Sequence, residues 1–236
     1  MITMTEQIND KNITDHMEDK WEFDAQVTKV FDEMLSRSIP SYNRMRTLIT
    51  EIVKFHIRQN NLTHNNILDL GCSTGEQIEQ LAKYLNLNNY IGFECSQPML
   101  REARKKLRGR YNVAIQNKDI TKEDFEYRNC GAILSILTLQ FIPIEYRQEV
   151  LKKVYDSLSK NGIFILVEKV IGDNYNYSEL YEQLYYNMKS INGYSVEEIR
   201  DKRMKLEGVL VPVTNQFNID LLKQAGFTKI DILERP

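Results

Sequence analysis

From Ile67 onward the chain alternates short apolar runs with amphipathic stretches, and this alternation constrains the fold more than any other feature. Ile67–Leu70, Tyr90–Glu94, Asn112–Ile115, Ala132–Leu139 and Ile163–Val170 read as strands. Glu76–Leu85, Pro98–Leu107 and Glu145–Leu158 read as the helices between them. The last of these sets Val150, Leu151, Val154 and Leu158 on one face at helical spacing. Ala132–Leu139 is an apolar run broken only by Ser135 and Thr138, which suits a strand buried on both faces. Such alternation builds a mostly parallel sheet with helices on both sides, an α/β architecture.

Around this unit the pattern differs. Residues 24–38 repeat Val27, Val30, Phe31, Met34 and Leu35 at helical spacing, and Pro40 stops the helix. A second helix is expected from Tyr42 to Gln59. "SKNG" is expected to end the Glu145–Leu158 helix, with Gly162 as its cap. Residues 173–207 look helical and hold six tyrosines: Tyr175, Tyr177, Tyr181, Tyr185, Tyr186 and Tyr194. Asn218–Ala225 reads as a helix closed by Gly226, and Thr228–Leu233 as a last strand. The chain divides into a mobile polar tail over 1–20 and one domain over 21–236. Within that domain, 173–214 forms a helical insertion that serves as a lid or a dimer contact.

Composition narrows the function. The net charge is −2, so no global positive field draws the protein to nucleic acid or anionic lipid. The basic run Arg101–Arg110 suits the solvated face of a helix. No apolar stretch approaches the roughly 20 residues of a membrane helix. Cys72, Cys95 and Cys130 lie far apart, and His16, His56 and His64 show no ligand spacing. Neither a structural metal nor a disulfide framework is expected, and the compartment expected is the reducing cytoplasm.

The chemistry gathers at "ILDLGCSTG", Ile67 to Gly75. In an open parallel sheet, ligands bind beyond the carboxyl ends of the strands, where the strand order switches. Glycines there let the backbone approach a ligand closely. The spacing is Gly-x3-Gly, which fits neither an ATP loop, which needs Gly-Lys-Ser/Thr, nor a dinucleotide loop. S-adenosylmethionine, with an aminoacyl end, a ribose and an adenine, is the remaining candidate. Its ribose diol favours a carboxylate that accepts two hydrogen bonds, and Glu94 ends the second strand. Asp119, after the third strand, is placed to accept from the adenine amino group.

"DLGCSTG" with these downstream acids resembles the class I S-adenosylmethionine-dependent methyltransferases, which have a Rossmann-like fold. "FDEMLSRSIPSY" (31–42), "LTLQFIP" (137–143) and "NGYSVEEIRDKRMKLEGVLVP" (192–212) resemble the carboxy-S-adenosylmethionine synthase branch, involved in modifying a tRNA wobble uridine. The resemblance implies cofactor contacts from Tyr42, from Gly71, Cys72 and Ser73, from Glu94 and Cys95, and from Asp119 and Ile120. Asp69, Gly75, Met99 and Ile136 belong to the same expected set. Arg203 is implied to grip a carboxylate of the modified cofactor across a dimer contact, with Tyr194 beside the substrate. Two departures stand out: Ile136 where an asparagine is usual, and Glu94 where an aspartate is usual. The branch also continues into a seventh, antiparallel strand, and this sequence stops at "ILERP".

Three functions are compatible with this reading. The first is in-line methyl transfer to a small metabolite or natural-product intermediate. The second is carboxy-S-adenosylmethionine synthesis with a prephenate-like donor. The third is a non-catalytic cofactor-binding protein that serves as a dimeric partner. A small-molecule substrate and a homodimer are expected, with no direct nucleic-acid or membrane partner. If a general base is used, Glu168 and Tyr194 are the candidates.

Overall fold

The computed structural model describes residues 20–123, 125, 127–172 and 174–233. The tail expected over 1–20 lies outside them except for Lys20. Two helices come first. Helix α1 (Ala25–Ser38) starts at Asp24, whose carboxylate accepts from Val27 N at 2.7 Å, satisfying one of the free donors of a helix start. Helix α2 (Tyr42–Gln59) buries Ile49, Val53 and Ile57.

Five strands then form one parallel sheet: β1 (Asn66–Leu70), β2 (Asn89–Glu94), β3 (Val113–Asn117), β4 (Cys130–Ile136) and β5 (Leu158–Val167). Their order is β3-β2-β1-β4-β5, so the order reverses between β1 and β4. Helices α3 (Glu76–Ala82), α4 (Gln97–Lys106) and α5 (Ile144–Ser157) make the crossovers. Alternation along the strands divides the core. Ile67, Ala132 and Leu134 pack with Val53, Ile57, Ile78 and Leu81 on the α2/α3 side. Leu68, Leu70 and Ile133 pack with Val150, Leu151, Val154 and Leu221 on the other side. Every strand except the edges is buried on both faces, as parallel sheets require.

After β5 the chain leaves the sheet. A two-residue strand β6 (Val170–Ile171) pairs in parallel with β7 (Val213–Thr214) and closes the excursion. Between them run α6 (Tyr175–Ile191) and α7 (Val196–Leu206). The expected single helical stretch over 173–207 is therefore two helices, broken at Gly193, with φ +86, and restarted by a capping box between Ser195 and Glu198. The last helix, α8 (Asn215–Ala225), packs on α5 and ends at Gly226, with φ +118, as expected.

Two expectations fail. Gly162 does not cap α5, because that helix ends at Ser157 and Leu158 is already extended. The pairing jumps from Cys130–Leu158 to Ala132–Ile163, so residues 159–162 bulge out of β5. A side chain at Gly162 would meet Cys130 O at 2.7 Å, so the glycine serves close backbone packing. Residues 228–233 form no strand and pair with none of the described strands, although β5 is an edge of the sheet.

Candidate active site

The turn after β1 is built by its glycines. Gly71 sits at φ +71, and a Cβ there would lie 2.5 Å from Thr138 Oγ1 in the loop after β4. Only glycine both adopts that backbone and allows the two loops to meet at the switch point. Cys72 N donates to Phe93 O at 2.8 Å, tying the turn to β2. Gly75, at φ +77, opens α3. Ser73 Oγ approaches Met99 Sδ at 3.5 Å, so Met99 of α4 underlies the turn. Cys72 is buried, and burial pushes its thiol well up.

Glu94 faces this turn. Its Oε2 accepts from Ser73 N at 3.0 Å and its Oε1 from Ser96 N at 2.8 Å. Each oxygen keeps a further lone pair, so the oriented carboxylate still has two acceptor sites for a diol. Burial raises its pKa, while the amides of Ser96 and Ser73 pull it down. Asp69, at the end of β1, is 3% exposed. Burial pushes its carboxyl up to about 7; Arg46 draws it down and Glu94 adds to the rise. Asp119 lines the cavity with Ile120, and its carboxylate also shapes its own turn: its Oδ1 accepts from Thr121 N at 3.0 Å and Thr121 Oγ1 at 2.6 Å, and its Oδ2 pairs with Lys122 at 3.1 Å.

The N-terminal helices complete the site. Tyr42 is buried at the start of α2, and its phenol oxygen accepts from Arg46 Nη1 at 3.2 Å. Burial raises the Tyr42 pKa, against the lowering pull of Arg46. Arg46 is 6% exposed, and its Nε and Nη2 have no hydrogen-bond partner. Buried donors of this kind are costly unless something accepts from them. Arg46 escaped sequence reasoning, although it lies one helical turn after Tyr42 and so shares its face. A second unforeseen group joins α1 to the turn: Thr74 Oγ1 donates to Asp32, and Lys106 bridges Asp32 at 3.3 Å and Glu76 at 2.6 Å.

Apart from Gly75, Ser96 and Lys106, these residues line one cavity of about 2280 Å³ along the carboxyl ends of the strands. Ile136 and Cys95 line it too. Residues 20–23 strap its rim. Ser96 Oγ donates to Phe23 O at 2.6 Å, Phe23 packs edge-on against Phe141 at 5.2 Å, and Trp21 N donates to Lys205 O at 3.0 Å. Glu168 also lines the cavity, but its Oε1 accepts from Leu139 N at 3.0 Å, so it secures the loop after β4. Burial pushes it up to about 8 despite Arg147 nearby, and burial lowers Arg147 in turn. Desolvation therefore outweighs their mutual attraction.

Two expected site residues stand apart from the cavity within a single chain. Tyr194 accepts from Ser38 Oγ at 3.1 Å and carries the Arg37 guanidinium 4.5 Å over its ring. Arg203 is exposed and pairs with Glu182 at 3.2 Å. Among the described residues, no group of three or more His, Cys, Asp or Glu side chains could hold a metal, and no helix is long and apolar enough to cross a membrane.

The site suits a nucleoside with a zwitterionic tail. Glu94 has free lone pairs, Arg46 has unsatisfied donors, and the backbone at Gly71 is open to close approach. Comparison with known proteins agrees on the class. A methyltransferase-domain family model matches residues 67–162. The carboxy-S-adenosyl-L-methionine synthase of Nautilia profundicola is 36% identical over 228 residues, 97% of this chain and 95% of that one. That of Staphylococcus epidermidis is 37% identical over 214 residues, 90% of this chain and 91% of that one. Among solved structures, the plantazolicin methyltransferase BpumL, in complex with a pentazolic desmethylPZN analog and SAH, superposes with a TM-score of 0.59 at 21% identity, covering 84% of this chain and 72% of that one. The methyltransferase SibL in its apo form gives 0.53 at 20% identity, covering 75% and 49%. These structural likenesses establish the fold. The near full-length relatives establish more: the chain belongs to the carboxy-S-adenosyl-L-methionine synthase family, among the class I S-adenosylmethionine-dependent enzymes.

Proposed function

We propose that this protein synthesises carboxy-S-adenosyl-L-methionine from S-adenosylmethionine and a small organic acid such as prephenate: the donor's C–carboxyl bond breaks as its allylic hydroxide leaves, the carboxyl carbon bonds to the cofactor's methyl carbon, and the proton lost from that methyl joins the hydroxide as water. The observation that carries the reading is the extent of the similarity: relatives of that name match this chain through the helices α6 and α7 as well as the sheet. The cofactor supplies a methyl carbon activated by a positive sulfur. The chain supplies position. Glu94 holds the ribose hydroxyls and Ile120 flanks the adenine. Asp69 and Arg46 take the two charged groups of the amino-acid tail, with the backbone of residues 71–73 alongside. The strap of Trp21 and Phe23 limits water at the reacting carbon. Glu168 accepts from Leu139 N and so holds the loop after β4 in place.

Arg203 enters from a second copy. The face of α6 that carries Tyr177, Leu180, Tyr181 and Leu184 is exposed in one chain, with Tyr181 at 59%, and covering it in a homodimer accounts for a patch of that size.

One observation favours plain methyl transfer instead. Ile136, at the cavity wall, offers no hydrogen bond where the branch usually has an asparagine. Incubation with S-adenosylmethionine and prephenate, followed by mass spectrometry, separates the two. Carboxyl transfer yields a cofactor heavier by one CO2 without an added acceptor. Release of S-adenosylhomocysteine only in the presence of an acceptor would replace this reading with methyl transfer.

A further inference from the structure

Beyond the cofactor half of the cavity lies a group of cations that none of the roles above uses. Lys169 follows β5 and lines the cavity, and Lys202 of α7 lines it from the opposite element. Lys189 of α6 stands behind Tyr185, itself a lining residue. The ammonium groups of Lys189 and Lys169 lie 4.6 and 5.3 Å from the centre of the Tyr185 ring. That of Lys202 lies 5.1 Å from the Trp21 ring. Lys189 is 5% exposed. Among the described residues, no carboxylate pairs with Lys189 or Lys202, while Glu182 is drawn off by Arg203 at 3.2 Å.

Burial lowers all three ammonium groups. Lys189 falls to about 8, with Lys169 repelling it, and Lys202 to about 8, with Lys189 repelling it. Lys169 is lowered by burial, with Glu182 opposing the fall. Lys189 is buried, Lys202 half-buried and Lys169 exposed at the cavity wall; Lys189 and Lys202 are faced by ring π-electrons and by a neighbouring ammonium, and cation–π attraction returns only part of their desolvation cost. Such an arrangement fits a site completed by an anion.

We propose that Lys169 and Lys202, backed by Lys189, form a binding site for an organic dianion, a dicarboxylate with an apolar or aromatic body that packs on Tyr185 and Trp21. As the seat of the carboxyl donor it rests on the reading of carboxyl transfer given above. As an anion site it stands on the lysines alone. Rings line the site together with the ammonium groups, which favours an organic acid over a bare inorganic anion.

The test is calorimetric titration of the full-length protein, with and without saturating S-adenosylmethionine. Phthalate serves as the dianionic probe, benzoate as the monoanion and inorganic phosphate as the anion without a ring. Phthalate is expected to saturate and to bind about tenfold or more tighter than either of the others, the difference one charge-assisted contact makes. Lys169→Met and Lys202→Met should each weaken phthalate about tenfold while leaving cofactor affinity unchanged, and Lys202→Arg should restore it. Lys189→Met should also weaken phthalate but raise the Tm, which the loss of a merely structural lysine would not do. If a Met variant does not fold, Lys202→Gln takes its place. Unaltered phthalate affinity in folded Lys169 and Lys202 variants overturns the proposal, as does phosphate binding as tightly as phthalate. If the wild-type protein binds phthalate through these lysines but not S-adenosylmethionine, the lysine site stands and the cofactor reading falls.

Discussion

Gly71 links backbone geometry to ligand binding. At φ +71, with Thr138 2.5 Å from where a Cβ would stand, Gly71→Ala forces both strain and a collision between two loops. The cost should be about 1–3 kcal/mol in chemical denaturation, with cofactor binding lost in the folded fraction. Arg46 tests the tail end of the cofactor site. Arg46→Met removes the donors that lack a hydrogen-bond partner, one of them 4.0 Å from Glu76 Oε1, and should weaken S-adenosylmethionine tenfold to a hundredfold by calorimetry, about 1.5–3 kcal/mol. Glu168 gives a pH signature. Its folded pKa, about 8, lies above the unfolded value near 4.5, so between these the unfolded state ionises first. The stability it contributes is complete at low pH and is lost as pH rises through about 8. Glu168→Gln keeps an acceptor for Leu139 N and should flatten the fall in stability between about pH 5 and 8. A slope identical to wild type would deny the buried acid this role. At this scale the glycines and Glu94 were legible in the sequence, because their demand is local: a turn at a strand end and an acid one strand away. Arg46, Lys189 and Lys202 were not, because their meaning depends on surroundings that only the fold supplies.

Among the elements, the strap over residues 20–23 decides how closed the cavity is. Ser96→Ala removes both the hydrogen bond to Phe23 O and the side-chain cap at the start of α4, and should cost about 1–2 kcal/mol of global stability. It should also speed proteolytic cleavage near Trp21, whereas cleavage at the wild-type rate would show that the bond does not hold the strap. The buried strands and α2 followed from apolar runs and period, since local pattern and final burial coincide there. The start of β5 did not. "SKNG" has the composition of a turn, yet the pull of pairing with Cys130 extends the strand through a bulge. Residues 228–233 show the converse, strand-like in composition but without a partner. Strand formation depends on what lies alongside, which one segment of sequence does not contain.

At the scale of the whole molecule, the proposed homodimer would cover the exposed face of α6 and bring Arg203 to the cavity of a second copy. Leu184→Glu, on that face, should convert a dimer to a monomer in sedimentation velocity and lower carboxyl-transfer activity while leaving the strand core folded. A wild-type monomer at micromolar concentration would remove this expectation. The roles given to the glycine turn, Glu94 and Arg46 presuppose a single event, the docking of S-adenosylmethionine across the ends of β1 and β2. Calorimetric titration of the full chain with S-adenosylmethionine tests that event directly, with Glu94→Ala alongside. Saturable one-site binding in the wild type, weakened about tenfold or more in Glu94→Ala, is the predicted result. Binding that is absent in the folded wild type, or indifferent to the loss of Glu94, would contradict it.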